Sequence, residues 1–171
     1  MEIKKMTNFV LQNKCRKMEK NKNIEGTEEI RHFRHSVPIQ IRFNDVDRYG
    51  HVNNNSYFSY YDLGKEDYLH SVLKVDYESK DVVPVIANIK ADFILPIFYG
   101  DPIVVETRIA RVGTKSFTLE QQAYNKKLQT IVCRCSTVMV CFDLENQVAV
   151  EIPDRYRTAI CDFEGDDLIT K

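Results

Sequence analysis

The chain has 171 residues, of which 43% are hydrophobic and 29% charged, a composition typical of a soluble globular domain with a substantial core. Its formal net charge of -1 provides no global attraction to nucleic acid or to a membrane surface. No apolar run reaches about 18 residues, so the sequence predicts no membrane-spanning helix.

The first 36 residues differ in charge from the rest of the chain. They contain nine Lys or Arg and five acidic residues, whereas the remainder contains 15 basic and 20 acidic residues. They also lack a sustained apolar period. The sequence therefore predicts a flexible or weakly helical arm over residues 1–35, one domain over 36–162 and a C-terminal tail over 163–171.

Regular spacing begins at Val37. The segment "VPIQIRF" (37–43) alternates apolar and polar residues, which predicts a strand. A polar segment follows at 44–56. A long buried helix is predicted next, because apolar and small residues then recur at spacings of three and four: Tyr57, Tyr61, Gly64, Tyr68 and Val72.

The second half of the chain is predicted to be mostly strand. Four apolar segments are joined by short turns at 99–102, 113–116 and 125–129, too short for parallel crossovers. In the first segment one face is predicted to carry Val83, Val85, Ala87, Ile89, Ala91, Phe93 and Leu95. A short helix is predicted to open on Asp154. The fold class is therefore α+β, with one curved antiparallel sheet of about five strands wrapped around a long central helix.

Two further patterns concern assembly and the cysteines. Val104, Val132, Val138 and Val140 are predicted on the far face of the sheet, which favours packing against a second copy in a homodimer or homotetramer. Cys133, Cys135 and Cys141 share one parity of a strand, which indicates thiols packed in the core of a reduced, cytoplasmic protein. No second ligand pair accompanies "CRC" (133–135) or "HFRH" (32–35), so no metal site and no cofactor is predicted.

The polar segment is the strongest candidate for a functional site. It supplies more polar groups than one helix cap requires: Asp45, Asp47, His51, Asn53, Asn54, Asn55 and Ser56. A carboxylate beside the free N–H groups of a helix start combines a base or nucleophile with an oxyanion hole. That combination suits acyl transfer, and a thioester needs no strong acid because its thiolate leaves easily.

The stretch "RFNDVDRYGHVNNNSYFSYYD" (42–62) resembles the signature of hotdog-fold acyl thioesterases of the 4-hydroxybenzoyl-CoA thioesterase type. The matching residues are Arg42, Phe43, Asp45, Asp47, Gly50, His51, Val52, Asn53, Asn54, Tyr57 and Asp62. The segment at 96–124, with Pro96, Gly100-Asp101 and a Gly-centred hairpin, is also similar. The resemblance covers about residues 37–145.

This resemblance implies an acyl-CoA or acyl-carrier-protein thioesterase in which Asp47 is the catalytic base or nucleophile. It implies that backbone N–H groups near Asn53 and Asn54 polarise the thioester carbonyl, with His51 beside them in a catalytic or orienting role. The catalytic group of plant-type acyl-carrier-protein thioesterases resembles Asp-x-Asn-x-His, whereas this chain has Asp47-x-Tyr49-x-His51.

Other assignments remain open at this level. Three basic residues around the Gly113 turn, Arg108, Arg111 and Lys115, are candidates to bind the phosphates of coenzyme A, although a solvated hairpin end is the default explanation for them. A non-catalytic hotdog module that binds acyl thioesters as a sensor or scaffold would have the same fold. A dehydratase or hydratase would need a His/acid pair, and only His51 is in view.

Overall fold

The computed structural model describes residues 33–75 and 82–165, together with the backbone of 169–170. Most of the predicted arm (1–35) and part of the predicted tail (163–171) therefore lie outside the described residues. The strands are β1 (His35–Ile39), β2 (Val82–Phe93), β3 (Ile103–Val112), β4 (Ser116–Asn125), β5 (Thr130–Asp143), β6 (Val148–Ala149) and β7 (Ile169–Thr170). The helices are α1 (Asn54–Ser71) and α2 (Asp154–Glu164), and a short 3-10 helix spans Phe43–Asp45.

The five longest strands form one sheet in the order β1-β3-β4-β5-β2, and β6 and β7 add short pairings to β5 and β3. All neighbouring pairs along the main path are antiparallel. The helix α1 packs on one face of this sheet. This arrangement confirms the α+β prediction of a single antiparallel sheet around a long helix.

The tyrosine-rich face of α1 fills the space between helix and sheet. Tyr57, Tyr61 and Tyr68 are at most 3% exposed, as their spacing predicts. Gly64 lets the helix approach β3 closely, because a Cβ placed there would lie 2.6 Å from Cγ1 of Val105. None of the helices in the described part of the chain is long and apolar enough to cross a membrane.

The short helix α2 closes the core at the far end of α1. Its last residue, Glu164, is fully buried. The Glu164 carboxylate accepts hydrogen bonds from the Tyr68 hydroxyl and from the Ile109 N–H (2.8 Å). The helix predicted to open on Asp154 thus continues two residues beyond the domain boundary predicted at 162.

The predicted single apolar face of β2 was wrong. The pairing with β5 shifts register between Ile86 and Asn88, and the extra residue exchanges the two faces. Val85 therefore pairs with Val140 on one face, whereas Ile89 pairs with Thr137 on the other. Because β2 ends the main path of the sheet, Ile86, Ile89 and Phe93 remain 39–45% exposed.

The prediction that Val132 lies on the face of the sheet opposite the helix was also wrong. A register shift between Ala123 and Tyr124 makes Val132 an extra residue in β5, and Val132 packs in the core with Tyr61 and Cys133. Val104 is 5% exposed within the single chain, so its burial requires no second copy. The three cysteines predicted in the core, Cys133, Cys135 and Cys141, are buried free thiols.

Candidate active site

The segment between β1 and α1 is shaped around Asp45. Its Oδ2 accepts hydrogen bonds from the Arg42 N–H (2.7 Å) and from the Tyr60 hydroxyl (2.8 Å). Its carbonyl accepts the Asn53 N–H (2.8 Å). Asp45 thereby ties the end of the 3-10 helix to the first turns of α1. The strand β1 ends at Ile39 rather than at the predicted Phe43, because Ile39 pairs with Ile103, the first residue of its partner strand β3.

Residues 46–52 form a tight hairpin that carries the candidate catalytic groups. An antiparallel bridge joins Val46 and Val52. Within it the Asp47 N–H donates to the His51 carbonyl (3.0 Å) and the Gly50 N–H donates to the Asp47 carbonyl (3.0 Å). Gly50 has φ of 81°, a conformation that residues with a Cβ rarely adopt. The hairpin places the side chains of Asp47 and His51 next to each other.

The Asp47 carboxylate has one oriented oxygen and one that faces His51. Its Oδ1 accepts the Tyr49 N–H at 2.8 Å. Its Oδ2 lies 4.0 Å from His51 Nδ1, and the side chains of Asp47 and His51 are 24% and 39% exposed. A substrate and a water molecule can therefore reach this carboxylate from solvent.

The start of α1 provides one uncommitted backbone donor. Asn53 is the N-cap, and its side-chain oxygen accepts the Asn55 N–H (2.9 Å) while its carbonyl accepts the Ser56 N–H (2.9 Å). The Asn53 N–H is used by Asp45. Among the described residues, the Asn54 N–H therefore has no acceptor within the protein. It lies in the first turn of α1, at the positive end of the helix dipole.

Two features that sequence reasoning missed hold this hairpin in place. The Tyr60 hydroxyl donates a hydrogen bond to Asp45. Burial and, to a smaller extent, this hydrogen bond raise the pKa of Tyr60, so the hydroxyl keeps its proton and remains a donor. The Ile97 carbonyl accepts the Val52 N–H (2.8 Å). The spacing of residues in the sequence indicates neither contact, because neither the partner of a tyrosine hydroxyl nor a backbone hydrogen bond such as that of Ile97 leaves a periodic pattern.

The structure does not bring Arg111 and Lys115 to this site within one chain. Ile39 pairs with Ile103 at the end of β3 nearest the hairpin, and Arg111 lies eight residues farther along the strand, about 26 Å at 3.3 Å per residue. Lys115 Nζ donates to the Ala149 carbonyl (2.9 Å). No cluster of three metal-ligating side chains occurs in the described residues.

A carboxylate, an adjacent imidazole and an available helix N–H form a site that can activate water and stabilise a developing oxyanion. A family model described as the thioesterase-like superfamily matches residues 41–160. That range includes the hairpin, all of α1 and the four long strands that follow it. The chain belongs to the thioesterase-like superfamily.

Two relatives are similar in sequence. The chloroplastic acyl-acyl carrier protein thioesterase ATL3 of Arabidopsis thaliana is 23% identical over 147 residues, which cover 85% of this chain and 76% of ATL3. The uncharacterized protein YsmA of Bacillus subtilis (strain 168) is 25% identical over 87 residues, or 51% of this chain. That match spans 58% of the length of YsmA.

Solved structures share the fold. PA2801 of Pseudomonas aeruginosa, a putative thioesterase, is 28% identical with a TM-score of 0.69, covering 75% of this chain and 99% of that one. A thioesterase of Thermus thermophilus, solved with coenzyme A and Zn, is 27% identical with a TM-score of 0.66, covering 75% and 98%. The hotdog fold expected from the resemblance is confirmed.

Proposed function

We propose that this protein hydrolyses acyl thioesters of coenzyme A or of acyl carrier protein, with Asp47 as the reactive carboxylate. The observation that carries the proposal is the position of Asp47 on a hairpin that leads directly into α1, whose Asn54 N–H has no acceptor in the described residues. Membership of the thioesterase-like superfamily supports it. The narrower assignment to the 4-hydroxybenzoyl-CoA type stays a prediction.

The reaction needs one base or nucleophile and one oxyanion donor. As a general base, Asp47 takes a proton from water while the water oxygen bonds to the thioester carbonyl carbon. The carbonyl oxygen becomes an oxyanion that the Asn54 N–H stabilises. Collapse breaks the carbon–sulfur bond, and the proton passes to the departing thiolate, which leaves a free carboxylic acid and a thiol.

As a nucleophile, Asp47 would instead form an acyl anhydride by expelling the thiolate, and water would then hydrolyse that anhydride. A single turnover in water labelled with heavy oxygen distinguishes the two routes. Direct attack by water places the label in the released acid in the first turnover. A nucleophilic Asp47 places it partly in the enzyme carboxylate.

The thiol carrier is part of the proposal. The Thermus thermophilus structure was solved with coenzyme A, and ATL3 is named for acyl carrier protein. Comparing acyl-CoA with the same acyl group on carrier protein and on N-acetylcysteamine decides which carrier is recognised. A role for Arg111 and Lys115 at the coenzyme A phosphates stays a prediction.

A homodimer or homotetramer is supported by the edge of the sheet. The apolar side chains of Ile86, Ile89 and Phe93 lie 39–45% exposed on β2, an edge strand of the described sheet. Such an edge pairs readily with another chain unless it is protected. A second copy would bury these three side chains and would form one wall of the acyl pocket. Sedimentation that shows only monomer at micromolar concentration would contradict this assembly.

The decisive test of the reaction is Asp47→Asn. The amide keeps the shape of the carboxylate but cannot accept the proton, so kcat for thiol release should fall at least about 100-fold. The panel should include short-chain, long-chain and aromatic acyl-CoAs. The matched control is Asp162→Asn, an identical change at an exposed residue of α2, with circular dichroism to verify folding. Unchanged turnover by Asp47→Asn would refute the assignment.

A further inference from the structure

The side chain of Tyr49 is unusual because nothing in the core accounts for it. It is 69% exposed, although it lies two residues from Asp47 in a tightly hydrogen-bonded hairpin. An exposed ring gains little from the hydrophobic effect. The presence of a large aromatic group at this position therefore needs another explanation.

Contacts made by Tyr49 reach both candidate catalytic side chains. Its backbone N–H donates to Asp47 Oδ1 at 2.8 Å. Its ring stacks on the imidazole of His51, with centroids 6.2 Å apart and planes 19° apart. The guanidinium of Arg48 lies 5.1 Å from the Tyr49 ring centroid and donates to the Tyr49 hydroxyl (3.1 Å). Arg48 thus holds the ring that touches His51.

The imidazole of His51 needs such support because its own contacts are loose. Its Nδ1 lies 3.4 Å from the Val52 carbonyl and 4.0 Å from Asp47 Oδ2, both long for a hydrogen bond. The side chain is 39% exposed. Without a neighbour on its solvent side, the ring is free to rotate away from Asp47.

We propose that Tyr49 is the positioning residue of this site: its N–H orients the Asp47 carboxylate, and its ring confines His51 beside that carboxylate. This inference rests on the proposed thioester hydrolysis and deepens it. The two contacts come from different parts of the residue. Any residue except proline retains the N–H, whereas only an aromatic residue retains the stack.

That separation defines the variants. Tyr49→Phe keeps the N–H and the ring. Tyr49→Asn places the amide of the plant-type pattern at this position and keeps the N–H, but it removes the ring. Tyr99→Asn is the matched control, because Tyr99 is 63% exposed and makes its ring contact with Phe43 rather than with the hairpin.

The kinetic test is a double-mutant cycle with His51→Ala. We expect Tyr49→Asn to lower kcat about 10-fold with KM unchanged, the pattern of lost transition-state positioning, and Tyr49→Phe to retain most of the activity. In the His51→Ala background, Tyr49→Asn should have no further effect, because the ring acts through His51. Equal losses in both backgrounds, or no loss at all, would overturn the inference.

A second measurement does not depend on turnover. The side-chain proton resonances of His51 should carry a ring-current shift from Tyr49, and this shift should disappear in Tyr49→Asn but persist in Tyr49→Phe and Tyr99→Asn. Identical His51 resonances in Tyr49→Asn and the native chain would refute the stacking. Absence of thioester turnover by the native chain would refute the proposed function instead, so the two failures are distinguishable.

Discussion

Two aspartates separated by one residue have different surroundings in this hairpin. Asp45 uses Oδ2 to accept two donors, one from the backbone of Arg42 and one from the Tyr60 hydroxyl. Asp47 accepts one donor at Oδ1 and directs Oδ2 toward His51. The Asp45 carboxylate is therefore held between the backbone of the 3-10 helix and a side chain of α1, whereas among the described residues the Asp47 carboxylate is held only by the backbone of its own hairpin. The local hydrogen bonds thus distinguish the anchoring aspartate, Asp45, from Asp47, the aspartate that we propose as the reactive one.

The anchoring role predicts the effect of Tyr60→Phe. This change removes the hydroxyl that donates to Asp45 and leaves a charged acceptor without that donor, so the free energy of unfolding should fall by about 1–2 kcal/mol. Urea denaturation monitored by circular dichroism measures it. Tyr99→Phe is the control, since Tyr99 is 63% exposed, and it should change stability little. Equal unfolding free energies for the native chain and Tyr60→Phe would contradict the anchor.

At the scale of elements, the close contact between α1 and the sheet depends on Gly64. A Cβ there would lie 2.6 Å from Val105 Cγ1, 3.1 Å from Thr107 Oγ1 and 3.2 Å from Gln121 Nε2. Gln121 also donates from Nε2 to the Tyr61 carbonyl (2.9 Å). The helix therefore rests on β3 and β4 at a distance that excludes even a methyl group.

Gly64→Ala should consequently destabilise the protein although alanine favours helices. The gain in helix propensity is about 1 kcal/mol, and overpacking a buried site costs about 1–3 kcal/mol. We expect a net loss of up to about 2 kcal/mol in the free energy of unfolding, measured by urea denaturation. Ser59→Ala, at an exposed position of α1, should be neutral or slightly stabilising. A more stable Gly64→Ala would show that helix and sheet separate readily.

Across the whole molecule, buried tyrosines and cysteines make stability sensitive to alkali. Burial raises the pKa of Tyr57 to about 12 and raises the pKa of Tyr61 and Tyr68 as well. Burial also raises the pKa of Cys133 and of Cys141 to about 11. In each case the unfolded chain loses its proton at a lower pH than the folded chain does.

The direction in which stability changes with pH follows from this order of the unfolded and folded pKa values. Stabilisation by these groups is complete below their unfolded pKa values, about 8.5–9 for thiols and 10 for tyrosines, and is lost as the pH rises toward the folded values. Each group should lower the free energy of unfolding by about 1.4 kcal/mol per pH unit in its window. Urea titrations from pH 7 to 11 should show a decline that steepens above pH 10. A constant value to pH 11 would contradict the burial of these side chains.

The order of elements was predictable because period-2 and period-3.6 patterns are long in this chain. The tyrosine stripe of α1 and the four strands after it were read directly from spacing. The orientation of β2 was not, because the extra residue between Ile86 and Asn88 has no sequence signal and reverses the alternation. Exposure of Ile89 and Phe93 also depends on which strand ends the sheet, a property of the whole arrangement.

The candidate site was predictable as a stretch but not as a set of contacts. The excess of polar residues and the motif pointed to Asp47, His51, Asn53 and Asn54. Nothing in the sequence showed that Asn53 would use its N–H, side chain and carbonyl internally while the Asn54 N–H remained available. The difference in hydrogen bonding between Asp45 and Asp47 likewise depends on Tyr60, whose hydroxyl reaches Asp45 from α1.

The contacts that shape the hairpin around Asp47 come almost entirely from residues 42–60, with the Ile97 carbonyl as the described exception. Most of the sheet is formed by residues 82–143, so the hairpin and most of the sheet are encoded by separate stretches of the gene. If the proposed function holds, substitution or recombination within the second stretch should change which acyl group is accepted while the contacts around Asp47 stay in place, and a laboratory search for altered specificity should begin there.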